Sequence, residues 1–183
     1  MSEFYLTLTD MKMKEILTIS LLITLTMITN ESKAQSFDKK INNLASKYEA
    51  EMIELRHWFH QNAELSNREF KTAERIALEL TKIGLKPRTG VAKTGGVAVL
   101  KGRKPGPVVA LRADIDGLPV KERANLPWKS EMMGEYNGEI VPVMHACGHD
   151  THTAILLATA KIMYDLKDEI SGCLLYTSPS PRD

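Results

Sequence analysis

The sequence predicts an α/β fold in which helices pack on a mixed sheet, and three observations carry that prediction. Two stretches with helical apolar spacing, residues 37–62 and 69–84, come first. Two short apolar, β-branched runs follow at 96–101 and 107–112. After a long polar stretch, residues 151–167 return to helical spacing. Helix, helix, strand, strand, loop, helix is the order in which an α/β sandwich opens. The chain has 183 residues, 43% apolar and 26% charged, which is the balance of a globular protein.

Each element follows from its local pattern. Residues 37–62 place Ile41, Leu44, Tyr48, Met52, Leu55 and Phe59 three or four apart on one helix face. Residues 69–84 do the same with Phe70, Ala73, Ile76, Ala77, Leu80 and Ile83, and Gly84 with Pro87 provides the stop. Glu64 to Asn67 reads as the turn between them. Residues 102–106, rich in Gly, Lys and Pro, read as a hairpin loop joining the two strands. Val108 to Leu111 is a continuous apolar run, as in a strand buried on both faces. Residues 121–143 show little period and read as a long loop that covers or lines a site. The last helix carries Ile155, Leu156, Ala160, Met163, Tyr164 and Leu166.

The two ends read differently from the middle. Lys12 and Lys14 precede an apolar run from Ile16 to Ile28, and Ser32-Lys33-Ala34 sets small residues for cleavage. Residues 1–34 are therefore expected to be a signal peptide, with Met11 or Met13 the better start. The run of about 13 residues falls short of the ~20 that span a bilayer. Export to the periplasm or the extracellular space is the expected destination. At the other end, Cys173 to Asp183 resembles one frame of a transposase adapter used in DNA library preparation, residue for residue. Residues 35–172 are then the expected native body, 173–183 a non-native tail, and the sheet is expected to end early.

Charge narrows the partners. The 24 basic and 23 acidic residues leave a net charge of +1, which gives no reason to expect nucleic acid or an anionic membrane surface. No glycine-rich phosphate loop is present. With Cys173 set aside, Cys147 is a lone thiol, which suggests a ligand or a reactive group.

Chemistry concentrates in two places. His145, Cys147, His149, Asp150 and His152 put five possible ligands within eight residues, just before a helix. Thiolate and imidazole suit zinc; imidazole with carboxylate also suits manganese, nickel or iron. Gly148 lets the backbone bend between Cys147 and His149, and Asp150 or Thr151 can cap the helix that follows. Asp114 and Asp116 stand past the end of the second strand, two apart, so that both can face one cavity. Either can bind metal or orient a ligand histidine from behind. Asp116-Gly117-Leu118-Pro119 also serves as an ordinary turn. His57 and His60, and Trp128 and Tyr136 in the long loop, are read as packing residues first and as site residues second. Two other readings stay open: a metal-binding module without catalysis, and a structural zinc staple.

Arg112-Ala113-Asp114-Ile115-Asp116-Gly117-Leu118-Pro119 followed by Met144-His145-Ala146-Cys147-Gly148-His149-Asp150 resembles the M20 metallopeptidases. More narrowly, it resembles their hippurate hydrolase, N-acyl-amino-acid amidohydrolase and auxin-conjugate hydrolase branch. His60-Gln61-Asn62-Ala63-Glu64-Leu65-Ser66, with Glu69 and Thr72, resembles that branch's early helix-turn-helix, and Lys93 to Val97 its first-strand entry. The likeness runs from about residue 53 to 172. It implies the start of a zinc-peptidase-like three-layer α/β/α catalytic domain, cut before a lid or dimerisation domain through which the protein forms homo-oligomers. It also implies two divalent metals per site (Zn, Mn, Ni or Co) and hydrolysis of N-acyl amino acids or small peptides. Cys147 and His149 match the motif's metal ligands. Asp116 falls on the family's orienting aspartate, and Asp114 on a position where the wider family has a ligand histidine. Asp114, His145, Asp150 and His152 are left as supporting residues. The general-base glutamate and two further histidine ligands of the family have no counterpart here, so the resemblance implies that this chain alone is inactive.

Overall fold

A computed structural model describes the backbone of residues 13–178. The start expected at Met11, the side chains of the expected cleavage site at 32–34 and residues 179–183 lie outside the described residues. The chain divides into two compact units, Met1–Leu44 and Ala45–Asp183. In the first unit the described residues belong to helix α1 (Met13–Gln61). Among the described residues no helix is long and apolar enough to cross a membrane.

The second unit follows the predicted α/β order. After the rest of α1 come α2 (Phe70–Ile83), β1 (Arg88–Val91), β2 (Gly95–Lys101), β3 (Lys104–Arg112), β4 (Met132–Tyr136), β5 (Glu139–Val143), α3 (His149–Asp165) and β6 (Ser171–Ser178). Helix α2 stops where its sequence says it should. Gly84 sits at φ 99°, so the Leu85 N–H turns back onto the Leu80 carbonyl at 3.0 Å. The apolar stripes of the three helices meet one face of the sheet. Leu55 and Phe59 of α1, Ile76 and Leu80 of α2, and Leu156, Leu157 and Ala160 of α3 pack with Ala98, Leu100, Leu174 and Tyr176 in one core. Burying each of the larger apolar side chains contributes on the order of 1.5–3 kcal/mol.

Four strands form the main sheet in the order β1-β2-β6-β3. β6 runs antiparallel to β2 and parallel to β3, so the sheet is mixed. Three expectations change here. First, β2 and β3 are not a hairpin: β6 lies between them. The glycines of their connection serve a close approach instead of a turn. A Cβ on Gly106 would come within 2.7 Å of the Gly172 nitrogen, and the Gly102 N–H donates to the Gly172 carbonyl at 2.8 Å. Second, the sheet takes in residues 173–178, part of the segment set aside above as a tail. Leu174 and Tyr176 alternate into the core, because Cys-Leu-Leu-Tyr-Thr carries strand-forming side chains at a period of two. Third, β3 is not buried on both faces. It is an edge strand, with Val108 67% and Val109 49% exposed. Among the described residues the helices cover one face of the sheet only.

The polar stretch 121–143 is not all loop. Its second half is the two-stranded antiparallel sheet β4–β5, with Tyr136 opposite Glu139. Asn137 and Gly138 between them take φ 53° and 83°, which is the two-residue type I′ turn that an Asn-Gly pair favours. That dipeptide was the signal for the hairpin. The largely exposed strands around it hid the period of two, because the small sheet has little core of its own to bury.

Candidate metal centre

Local backbone pairing draws the two chemistry-bearing segments together. Beyond β3, the Ala113 N–H donates to the Thr177 carbonyl at 3.1 Å, and the Gly117 N–H to the Glu64 carbonyl at 2.6 Å. Leu118 and Met144 then form a reciprocal bridge, N–H to O=C at 2.8 and 3.1 Å. Asp116 and His145 thus enter one neighbourhood from opposite sides of that bridge. Gly148 takes φ 81° and is the N-cap of α3, so the chain reverses there and the helix begins with His149. The helix has no side-chain cap, so neither Asp150 nor Thr151 plays the expected capping part. Asp150 lies one residue inside the first turn, where its carboxylate favours the helix N-terminus.

Asp116 and His149 meet. The His149 Nδ1 donates to Asp116 Oδ1 at 2.7 Å and lies 3.1 Å from the Asp116 carbonyl. Both side chains are buried. With Nδ1 used in this way, Nε2 is the nitrogen left to ligate. Burial pushes the Asp116 carboxyl above its ordinary range, against the opposing hydrogen bond from His149. Cys147 is exposed, two residues before His149. His152 is also exposed, its ring 5.3 Å from that of His149. Asp114 is turned elsewhere: Arg112 holds its Oδ1 through Nε at 3.0 Å and Nη2 at 2.8 Å. The two aspartates therefore do not share one set of partners, although they lie two apart.

Behind this pair is a buried polar cluster. His145 is 5% exposed, and neither ring nitrogen has a hydrogen-bond partner. Burial pushes its imidazolium form down to a pKa of about 4, with Asp150 opposing, so the ring is neutral at pH 7. Asp150 Oδ2 accepts from Arg56 Nε at 3.0 Å and from His60 Nδ1 at 2.9 Å. Burial presses the Asp150 carboxyl upward, but His60, His145 and Arg56 outweigh it and hold the group below the usual carboxylate range. His60 Nε2 reaches Glu122 Oε2 at 2.7 Å. Glu122 is likewise held low: burial opposes, and the hydrogen bonds from His60 and the Ala124 N–H prevail. Sequence reasoning missed Arg56 and Glu122 and took His60 for packing. Arg56 and His60 stand four apart on α1, one turn, and that spacing was the available signal. Nothing marked Glu122. His57 stacks on Trp128, ring centroids 3.8 Å apart, and so does pack.

Among the described residues no three His, Cys, Asp or Glu side chains converge to enclose an ion. The residues present fit one as a half-site. They offer an exposed thiol, an imidazole whose Nδ1 is held by a carboxylate, and a buried neutral imidazole with both nitrogens unpartnered. Orphaned buried nitrogens of that kind cost about 1–3 kcal/mol each unless something meets them.

Comparison with known proteins agrees with the motifs. Residues 110–175 match the profile of peptidase family M20/M25/M40. Thermostable carboxypeptidase 2 of Saccharolobus solfataricus is 42% identical over 147 residues, which is 79% of this chain and 35% of that protein. The N-acyl-L-amino acid amidohydrolase of Geobacillus stearothermophilus is 40% identical over 134 residues, 73% of this chain and 34% of that protein. Among solved structures, the Bacillus subtilis YXEP protein, described as a dinuclear metal binding peptidase from the M20 family, superposes with a TM-score of 0.65. It is 35% identical over 73% of this chain and 35% of its own. The chain spans about a third of the length of the curated relatives it matches. Motif, fold and relatives converge on peptidase family M20/M25/M40, whose profile this chain matches over residues 110–175.

Proposed function

We propose that the protein containing this chain hydrolyses the amide bond of N-acyl amino acids or small peptides at a divalent-metal site, with Cys147 and His149 as this chain's ligands. The observation that carries the reading is the 2.7 Å hydrogen bond from His149 Nδ1 to Asp116 Oδ1. A carboxylate behind a ligand histidine fixes its tautomer and raises its basicity. Asp116 is thus the orienting residue. Cys147 is exposed, and a ligand set open on one side suits a catalytic centre better than a closed structural staple. When bound, divalent metals supply Lewis acidity and an activated nucleophile for amide cleavage. His145, Asp150 and His152 support the ligands from around them; Asp114, paired with Arg112, is set apart. Zinc, manganese, nickel and cobalt are the candidates, two ions per site, by likeness to a relative described as dinuclear. The substrate class follows the relatives, one named a carboxypeptidase and one an N-acyl amino acid amidohydrolase. Export through residues 1–34 and homo-oligomer formation through a lid domain belong to the same reading.

The complete gene product tests this, assayed on N-acetyl-L-amino acids and dipeptides after chelation and again after each metal is restored. Hydrolysis should vanish with the metal and return with it. Cys147→Ser should abolish it, and Asp116→Asn should weaken metal affinity by about 10–100-fold, with activity recovered at excess metal. Hydrolysis indifferent both to chelation and to Cys147→Ser would sink the reading.

A further inference from the structure

A second polar connection, independent of the Asp116–His149 pair, runs between the same two segments. His60 is 5% exposed. Its Nδ1 faces Asp150 Oδ2 at 2.9 Å and its Nε2 faces Glu122 Oε2 at 2.7 Å. A carboxylate only accepts, so both contacts are hydrogen bonds when both ring nitrogens carry a hydrogen. The charged or titratable groups that face His60 from the surrounding elements are Asp150 on α3, Glu122 in the 121–131 loop, Arg56 on α1, and His145, whose ring lies 6.4 Å away. A buried triad of this sort adds little net stability over apolar packing. What it supplies is fixed geometry between three segments of chain.

We propose that His60 is a positioning residue for the metal centre: it ties Glu122, on the segment that carries Asp116, to Asp150, the neighbour of His149. The first turn of α3 is thereby held from two sides. Asp116 takes the His149 ring directly, and His60 with Arg56 takes the next residue of the helix. The same link secures the start of the 121–131 loop, whose far half is pinned by Trp128 on His57 and by the Ser130 hydroxyl on the Val143 carbonyl at 2.6 Å. The purpose of the bridge rests on the metal reading; its existence does not.

Two readouts on the 183-residue chain separate those parts. Amide hydrogen exchange reports the bridge, and the thiolate-to-cobalt(II) charge-transfer band of Cys147 reports the ligands. In folded His60→Ala, exchange should rise about tenfold or more in residues 120–130 and 145–150 while the amides of β2 and β6 keep their protection. Cobalt affinity should fall by about 10–100-fold. Glu122→Ala should do the same more weakly, and Glu122→Gln, which keeps an acceptor oxygen, should restore most of the loss. Glu74→Ala, at an exposed position on α2, is the control and should leave the cobalt band unchanged. Wild-type exchange in both segments of folded His60→Ala would overturn the proposal. Should that variant not fold, wild-type exchange in Glu122→Ala overturns it equally. Absence of a thiolate band from the unsubstituted chain would instead strike the metal reading, and exchange would then decide the bridge alone.

Discussion

At the scale of single residues, burial decides chemistry that residue type leaves open. Asp114 and Asp116 look alike in sequence, yet one is half-exposed on Arg112 and the other is enclosed on His149. Their identity and spacing were legible; their partners were not, because the bends after β3 set which way each points. Tyr176 gives a sharper case. It is 1% exposed, its hydroxyl has no partner, and burial pushes its pKa from 10.0 to about 12. A folded-state value above the unfolded one means that this contribution to stability is complete below pH 10 and is lost as pH rises towards 12. The difference corresponds to roughly 3 kcal/mol. Tyr176→Phe should therefore flatten the alkaline loss seen in urea midpoints between pH 9 and about pH 12. At pH 7 it should hold stability level or raise it by about 1–3 kcal/mol, since an orphaned hydroxyl is removed. An alkaline loss of undiminished size in the variant would show that another group carries it.

At the scale of elements, the helices were read well and the strands partly. A helix announces itself through i, i+3, i+4 spacing, which depends only on its own residues, and α2 with its Gly84 stop needed nothing else. Strand pairing depends on what arrives later in the chain. Residues 102–106 have hairpin composition, but β6 enters after α3 and separates β2 from β3. Gly172 shows how tight that entry is. It takes φ 89°, and a Cβ there would press on the Pro107 carbonyl oxygen. Gly138 has a similar φ of 83° with nothing near its missing Cβ. Gly138→Ala should cost about 1–2 kcal/mol for the left-handed backbone alone. Gly172→Ala should cost roughly 2–5 kcal/mol, because the steric overlap adds to the same strain. Equal shifts of the two denaturation midpoints would contradict the close approach of β6.

At the scale of the whole molecule, the described helices cover one side of the main sheet. The rows Lys101–Cys173–Val108 and Val99–Leu175–Ala110 lie on the face away from the helical core. Val99 and Val108 are 46% and 67% exposed, and β3 is an edge strand. Apolar surface beside an edge strand promotes association. Sedimentation velocity of the chain should show concentration-dependent oligomers, and Val99→Lys with Val108→Lys should reduce them. A monomer across the concentration range, with or without the substitutions, would argue that the face is inert. By itself, the sequence determined the α/β class, the three helices and most of their core faces, although Phe70 and Ile155 of those expected faces lie exposed, and the motifs that hold Asp116, Cys147 and His149. These rest on local periodicity and on residue chemistry. Only the tertiary structure decided that β6 divides the expected hairpin and that Asp116 meets His149 while Asp114 does not. It also decided that His60 links Glu122 to Asp150. Those contacts join residues 33 to 90 positions apart, and no local pattern records which distant groups a packed chain brings within hydrogen-bond reach.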